Sequence, residues 1–195
     1  ITHFIGLILS IIGLPILLYY GQKLTGFSLI SILLFEFGLS CVYTASTLYH
    51  YVSDPELKQK LRIFDHVSIF YLIAGSYAPV CLITLYNGIG LKIFISIIII
   101  TLVGTIFKVF YTGKYEKFSL ALYLAMGWII VLDFKSILEL FSLNAIILLV
   151  ASGLFYSLGT VFYSLQKIKY SHAIWHLFVL AGSTSHYFLI LLYVI

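Results

Sequence analysis

Charge is scarce in this chain. Only 9% of its 195 residues are Asp, Glu, Lys or Arg, seven acidic against eleven basic. A soluble domain carries about 25% charged residues, so too little polar side chain is present to cover a water-facing surface, and soluble-enzyme folds are excluded. The net charge of +4 does not point to a nucleic-acid partner, because the Lys and Arg residues are scattered singly among short connections and form no basic face. They set membrane topology instead. Cysteine is nearly absent: Cys41 and Cys81 fall inside apolar blocks, at depths expected to differ by about 10 Å, which excludes a disulfide and leaves both as small packing residues. No basic segment or small-residue cleavage site flanks the first apolar block, Phe4 to Tyr20, so no cleavable signal is expected, and the lack of an initiator Met is expected to mark a trimmed start. Asn87-Gly88-Ile89-Gly90 lacks the Lys-Ser/Thr and the strand of a phosphate loop and reads as a turn.

Apolar residues are abundant. They make up 62% of the chain and come in blocks of about 20, each long enough at 1.5 Å per residue to cross a hydrocarbon core of roughly 30 Å. Breaks at charge, Gly or Pro delimit seven segments, at about 3–20, 27–51, 63–86, 91–111, 117–133, 142–165 and 171–194. The fold class is therefore all-α and integral to the membrane: a seven-transmembrane helix bundle over 1–195 with no separate soluble domain and short connections between antiparallel neighbours. The fifth segment is the shortest, closed in by Glu116, Lys117, Asp133 and Lys135. Tyr19, Tyr20, Tyr86, Tyr111, Tyr115 and Tyr170 sit at segment ends, as interfacial anchors do. One set of alternate connections carries Lys58, Lys60, Arg62, Lys108, Lys114, Lys117, Lys167 and Lys169, the other only Lys23, Lys92 and Lys135. The richer set is expected in the cytoplasm, which puts the N-terminus inside and the C-terminus outside. That is the reverse of a G-protein-coupled receptor.

Ionisable residues in membrane helices cost about 2.5–3.5 kcal/mol on insertion scales, so each one needs a reason. Most of them cluster at one end of the bundle. The second segment ends Ser46-Thr47-Leu48-Tyr49-His50, the third contains Asp65-His66, and the seventh begins His172-Ala173-Ile174-Trp175-His176. His172 and His176, four residues apart, project from one face about 6 Å apart and can bind one metal ion, with His50 and Asp65 reaching it from neighbouring helices. Three neutral imidazoles and an open position suit a catalytic zinc ion, whose bound water has its pKa lowered to about 7. Asp65 then serves as a partner or base for that water, or as a direct ligand. Ser46, one turn before His50, can bond the water or a substrate oxygen, or else bond its own helix. A surface or core role is the bland alternative for the histidines. His66 points about 100° away from Asp65, towards a neighbouring helix or the interface, with a metal role as the lesser alternative. His186, about 15 Å deeper than His176, lies outside any shared shell and either lines a polar cavity or bonds across helices. His3 can sit behind the ligands. Glu36 shares a stripe with Ser40, Tyr43, Thr47 and His50 and is expected as a protonated core carboxyl, with a transport or substrate role as the alternative. Gly153, Ser157, Gly182 and Ser183 permit close helix approach.

The strings TASTLYH (44–50), LRIFDHVSIFYLIAGSYAPV (61–80), LAMGW (124–128) and HAIWHLFVLAGSTSH (172–186), with ITHFIG (1–6) and GLFYSLGTVFY (153–163), resemble the bacterial hemolysin III family over nearly the whole chain. That family belongs to the progestin and adipoQ receptor group and is related more distantly to alkaline ceramidases. The resemblance implies seven helices with the N-terminus inside, zinc (Zn2+) held by His50, His172 and His176, and Asp65 and Ser46 beside the zinc water. The leading expectation is a zinc-dependent hydrolase of a lipid amide or ester in a bacterial inner membrane, with its site near the cytoplasmic face. The alternatives are a receptor-like or lipid-homeostasis regulator with structural zinc and, with least support, a pore-forming cytolysin, since seven apolar spans suit a resident membrane protein and leave no water-soluble form.

Overall fold

A computed structural model of the chain describes residues 2–22, 26–165 and 168–195. Lys23 and Lys167 of the charge count, and Ile1 of the first motif, lie outside the described residues. Within them, seven helices are long and apolar enough to cross a membrane: α1 Thr2–Gly21, α2 Phe27–Tyr51, α3 Pro55–Thr84, α4 Gly90–Tyr111, α5 Glu116–Leu140, α6 Leu143–Ser164 and α7 Ser171–Val194. Large apolar side chains such as Ile99, Ile106, Leu132 and Ile147 face outwards, as a lipid-solvated surface requires.

Helix α3 begins well before the apolar run expected from residue 63. Asp54 accepts a hydrogen bond from the Leu57 N–H at 2.8 Å, and Pro55 opens the helix where its missing N–H costs nothing. Apolar periodicity does not register this polar first turn. Helix α5 reaches its full length as a composite: Glu116–Trp128 is α-helical, Ile129–Asp133 tightens to a 3-10 turn, and Phe134–Leu140 resumes. The change of pitch frees backbone groups, which Tyr77 of α3 satisfies. Its hydroxyl donates to the Met126 carbonyl at 2.7 Å and accepts from the Ile130 N–H at 3.0 Å. Asp133, which seemed to close the segment, is buried and accepts from Ser136 Oγ at 2.6 Å. The polar residue thus lies within the span.

Glycines set the closest helix approaches. A Cβ on Gly38 would lie 2.5 Å from the Tyr71 carbonyl oxygen, and one on Gly75 would lie 2.6 Å from that of Leu34, so α2 and α3 touch backbone to backbone. Gly6 seats the Tyr43 ring and Gly13 the Tyr187 ring, whose hydroxyl donates to the Gly13 carbonyl at 3.0 Å. One apolar cluster joins α1, α2 and α7 through Leu17, Phe35, Leu39, Val179 and Ile190; a second joins α3, α4 and α5 through Phe70, Ile97, Tyr123 and Met126. The two cysteines are free, Cys81 buried and Cys41 half-buried.

Candidate metal centre

The last turn of α2 and the first turn of α7 meet at one end of the bundle. His50 Nε2 lies 3.1 Å from His172 Nε2, which lies 3.0 Å from His176 Nε2. His172 Nε2 thus stands between the Nε2 atoms of the other two rings, where the donor and acceptor roles depend on the tautomers. The spacing is compatible with a metal ion: ligands at zinc–nitrogen distances of about 2.0–2.1 Å in a tetrahedron stand about 3.3 Å apart. One ring nitrogen from each of these three residues falls within 4.8 Å of the other two, and among the described residues they are the group that could hold a metal ion. His176 is buried, whereas His50 and His172 are exposed.

The surroundings orient the trio. Thr2 Oγ1 is 3.3 Å from His176 Nδ1, where it can accept the ring proton and leave the Nε2 lone pair facing the other imidazoles. His3 stacks on the opposite side, its ring centroid 3.8 Å from that of His176 and tilted by only 12°. The Ser46 hydroxyl is directed at the Asp65 carboxylate across the close α2–α3 contact. Asp65 stands apart from the three nitrogens that form the metal group. Both Asp65 and Ser46 line the same cavity as His172 and His176.

That cavity has a volume of about 610 Å³ and is walled mainly by apolar side chains of α3, α5, α6 and α7. Val131 and Phe134 of α5 and Val150 of α6 line it and are themselves exposed. Trp128 Nε1 donates to Ser157 Oγ at 3.0 Å over Gly153, which gives these two small residues a specific contact beyond close packing.

Beside Asp65 stands a polar cluster that sequence reasoning left unassembled. His66 Nδ1 donates to the Arg62 carbonyl at 2.7 Å, so Nε2 is the acceptor nitrogen of the neutral ring and faces the Tyr163 hydroxyl at 3.3 Å. His66 thus turns to neighbouring helices, as its angle from Asp65 requires. Glu116 Oε2 receives Lys108 Nζ at 2.9 Å, while Glu116 Oε1 accepts from the Gly113 N–H at 2.8 Å. Lys108, counted above among the topology-setting cations of the connections, is fully buried. Its signal was present in the stripe Ile93, Ile97, Thr101, Gly104, Lys108, which puts it on the buried face of α4. At the other end, Glu36 is buried and accepts from Ser40 Oγ at 2.7 Å, and His186 bonds across helices to α3.

A family model described as haemolysin-III related matches residues 1–187. Hemolysin-3 of Bacillus cereus is 38% identical over 196 residues, covering 100% of this chain and 90% of that protein. The hemolysin-3 homolog of Bacillus subtilis (strain 168) is 36% identical over 194 residues, 99% of this chain and 91% of that protein. Monocyte to macrophage differentiation factor of Homo sapiens is 32% identical over 165 residues, 80% of this chain and 67% of that protein. No solved structure matches. With its seven spans, and with a family match running through all the helices that form the histidine cluster and its cavity, the chain belongs to the haemolysin-III-related family of multi-pass membrane proteins.

Proposed function

We propose that this protein is a zinc-dependent hydrolase of a lipid amide or ester. The observation that carries the reading is that His172 Nε2 lies 3.0–3.1 Å from the Nε2 atoms of His50 and His176, at the edge of a mainly apolar cavity lined by His172, His176, Asp65 and Ser46. Zinc held by His50, His172 and His176 would supply Lewis acidity and lower the pKa of a coordinated water to about 7. Asp65 is the proton carrier: its carboxylate accepts a proton from the attacking water and returns it to the departing amine or alcohol. Ser46 holds that carboxylate by donating its hydroxyl proton. The apolar walls take the acyl chain and keep bulk water from the reacting carbonyl, and the exposed flank between α5 and α6 gives a lipid a way in from the bilayer. The test is turnover of a panel of ceramides, acyl amides and phospholipids by purified protein. Zinc-dependent release of fatty acid that a folded, zinc-loaded Asp65→Asn protein cannot perform is the expected result, and no turnover on any lipid sinks the reading.

A structural metal is the second reading, favoured by the ligands coming from only α2 and α7, whose ends the ion would clamp. It predicts that chelation lowers thermal stability while Asp65→Asn leaves lipid responses intact. The lytic activity named for the Bacillus cereus relative is a third. Liposome leakage that persists after metal removal would favour it over both.

A further inference from the structure

The deep end of the cavity has polar groups that the metal centre does not use. His186 is 5% exposed and lies ten residues beyond His176 on α7, about 15 Å away along the helix. Its Nε2 is 2.9 Å from the Ser76 carbonyl oxygen, which can only accept, so Nε2 carries the ring proton and Nδ1 presents a lone pair. That lone pair faces Ser152 Oγ at 3.3 Å. The Ser152 hydroxyl proton, however, goes to the Leu149 carbonyl at 2.7 Å. Ser76 likewise gives its hydroxyl proton to the Leu72 carbonyl at 2.8 Å.

His186 Nδ1, Ser152 Oγ and Ser76 Oγ therefore keep acceptor lone pairs and have no proton of their own to share, and all three residues line the cavity. The Tyr156 and Ser183 hydroxyls, 2.9 Å apart, bring two protons, and if Ser183 donates to Tyr156, the Tyr156 proton can go to Ser76 Oγ. His186 Nδ1 and Ser152 Oγ, which face each other, are then the acceptors left to a ligand's donor. Buried acceptors facing one another without donors are costly in a closed core, whereas in a ligand cavity they select a ligand that brings the donor. We propose that His186 and Ser152 form a second polar subsite that accepts a hydrogen bond from a hydroxyl group carried on the chain of a long lipid whose carbonyl end lies at the histidine cluster. The inference rests on the lipid reading of this cavity but not on hydrolysis.

The chain's two tryptophans, Trp128 and Trp175, both line the cavity and serve as reporters. Full-length protein in detergent is titrated with a brominated stearoyl amide, which should quench them. Stearoyl amide and its counterpart with a mid-chain hydroxyl then compete for the site. The hydroxylated lipid should displace the quencher at about tenfold lower concentration, the worth of one well-made hydrogen bond. Ser152→Ala, which loses only an acceptor and a bond within its own helix, should cut that preference to about threefold, and His186→Leu should abolish it. If His186→Leu does not fold, Ser152→Ala decides. Equal displacement by the two lipids overturns the subsite and leaves the lipid reading standing, as does a preference unchanged in folded Ser152→Ala. Absence of quenching overturns the lipid reading and the subsite together.

Discussion

His176 is the most enclosed of the three clustered histidines, with Thr2 on one ring nitrogen, His172 near the other and His3 against its face. His176→Ala is therefore expected to lose tight zinc and any hydrolysis together, because two imidazoles remain beside a polar hole. Asp65→Ala should retain zinc while losing turnover, and His186→Ala, at the far end of the cavity, should bind zinc at full stoichiometry. Zinc per mole of each purified variant decides the matter. A metal-free His186→Ala beside a normal His176→Ala would disprove the assignment. A subtler change is Thr2→Val, which removes the oxygen at His176 Nδ1 and should weaken zinc by about 10- to 100-fold in a chelator competition. The histidines and Asp65 were legible as residues because charge within an apolar span is conspicuous. Glu116, Tyr163 and Thr2 were not, since a carboxylate at a segment end, a tyrosine near an interface and a lone threonine are ordinary features there.

Helices α2 and α3 deliver Ser46 and Asp65 to each other through the Gly38–Gly75 crossing. Gly75→Ala puts a methyl group against the Leu34 carbonyl, a backbone atom that cannot swing away, and should cost about 1–3 kcal/mol as well as part Ser46 from Asp65. Gly127→Ala is the contrasting case: its added Cβ meets nothing within 4 Å, so thermal melts should show it neutral or stabilised by up to about 1 kcal/mol. The junction of α4 and α5 depends on Lys108–Glu116. Lys108→Met takes the nearest cation from a carboxylate that is only 30% exposed and keeps Arg62 at 3.9 Å, and should destabilise by about 1–3 kcal/mol, while adding Glu116→Gln should recover part of the loss in the double variant. These elements show where apolar runs define helices well and where they do not. The composite α5 could be counted but not measured from sequence, because its length depends on Tyr77 of another helix satisfying its backbone.

At the scale of the whole molecule, the charge distribution predicts that Ser53, between α2 and α3, faces the cytoplasm and Asn87, between α3 and α4, faces outwards. Single cysteines at these positions in a protein lacking Cys41 and Cys81 should be labelled by an impermeant maleimide from opposite sides of the membrane, and the reverse pattern would invert the topology. Composition alone determined that this is a membrane protein, and the spacing of apolar blocks determined seven helices, because bilayer thickness converts directly into residue number. The i, i+4 histidines were equally determined, since helical geometry puts them on one face without reference to the rest of the chain. Tertiary structure decided what each polar residue meets. It buried Lys108 against Glu116, turned His66 to Tyr163, set His3 on His176, and opened a 610 Å³ cavity from the histidine cluster to His186. Periodicity gives the direction of a side chain from its own helix axis. The rotation, depth and closeness of the neighbouring helix come from packing between segments distant in sequence, here through glycines whose partners no local pattern names.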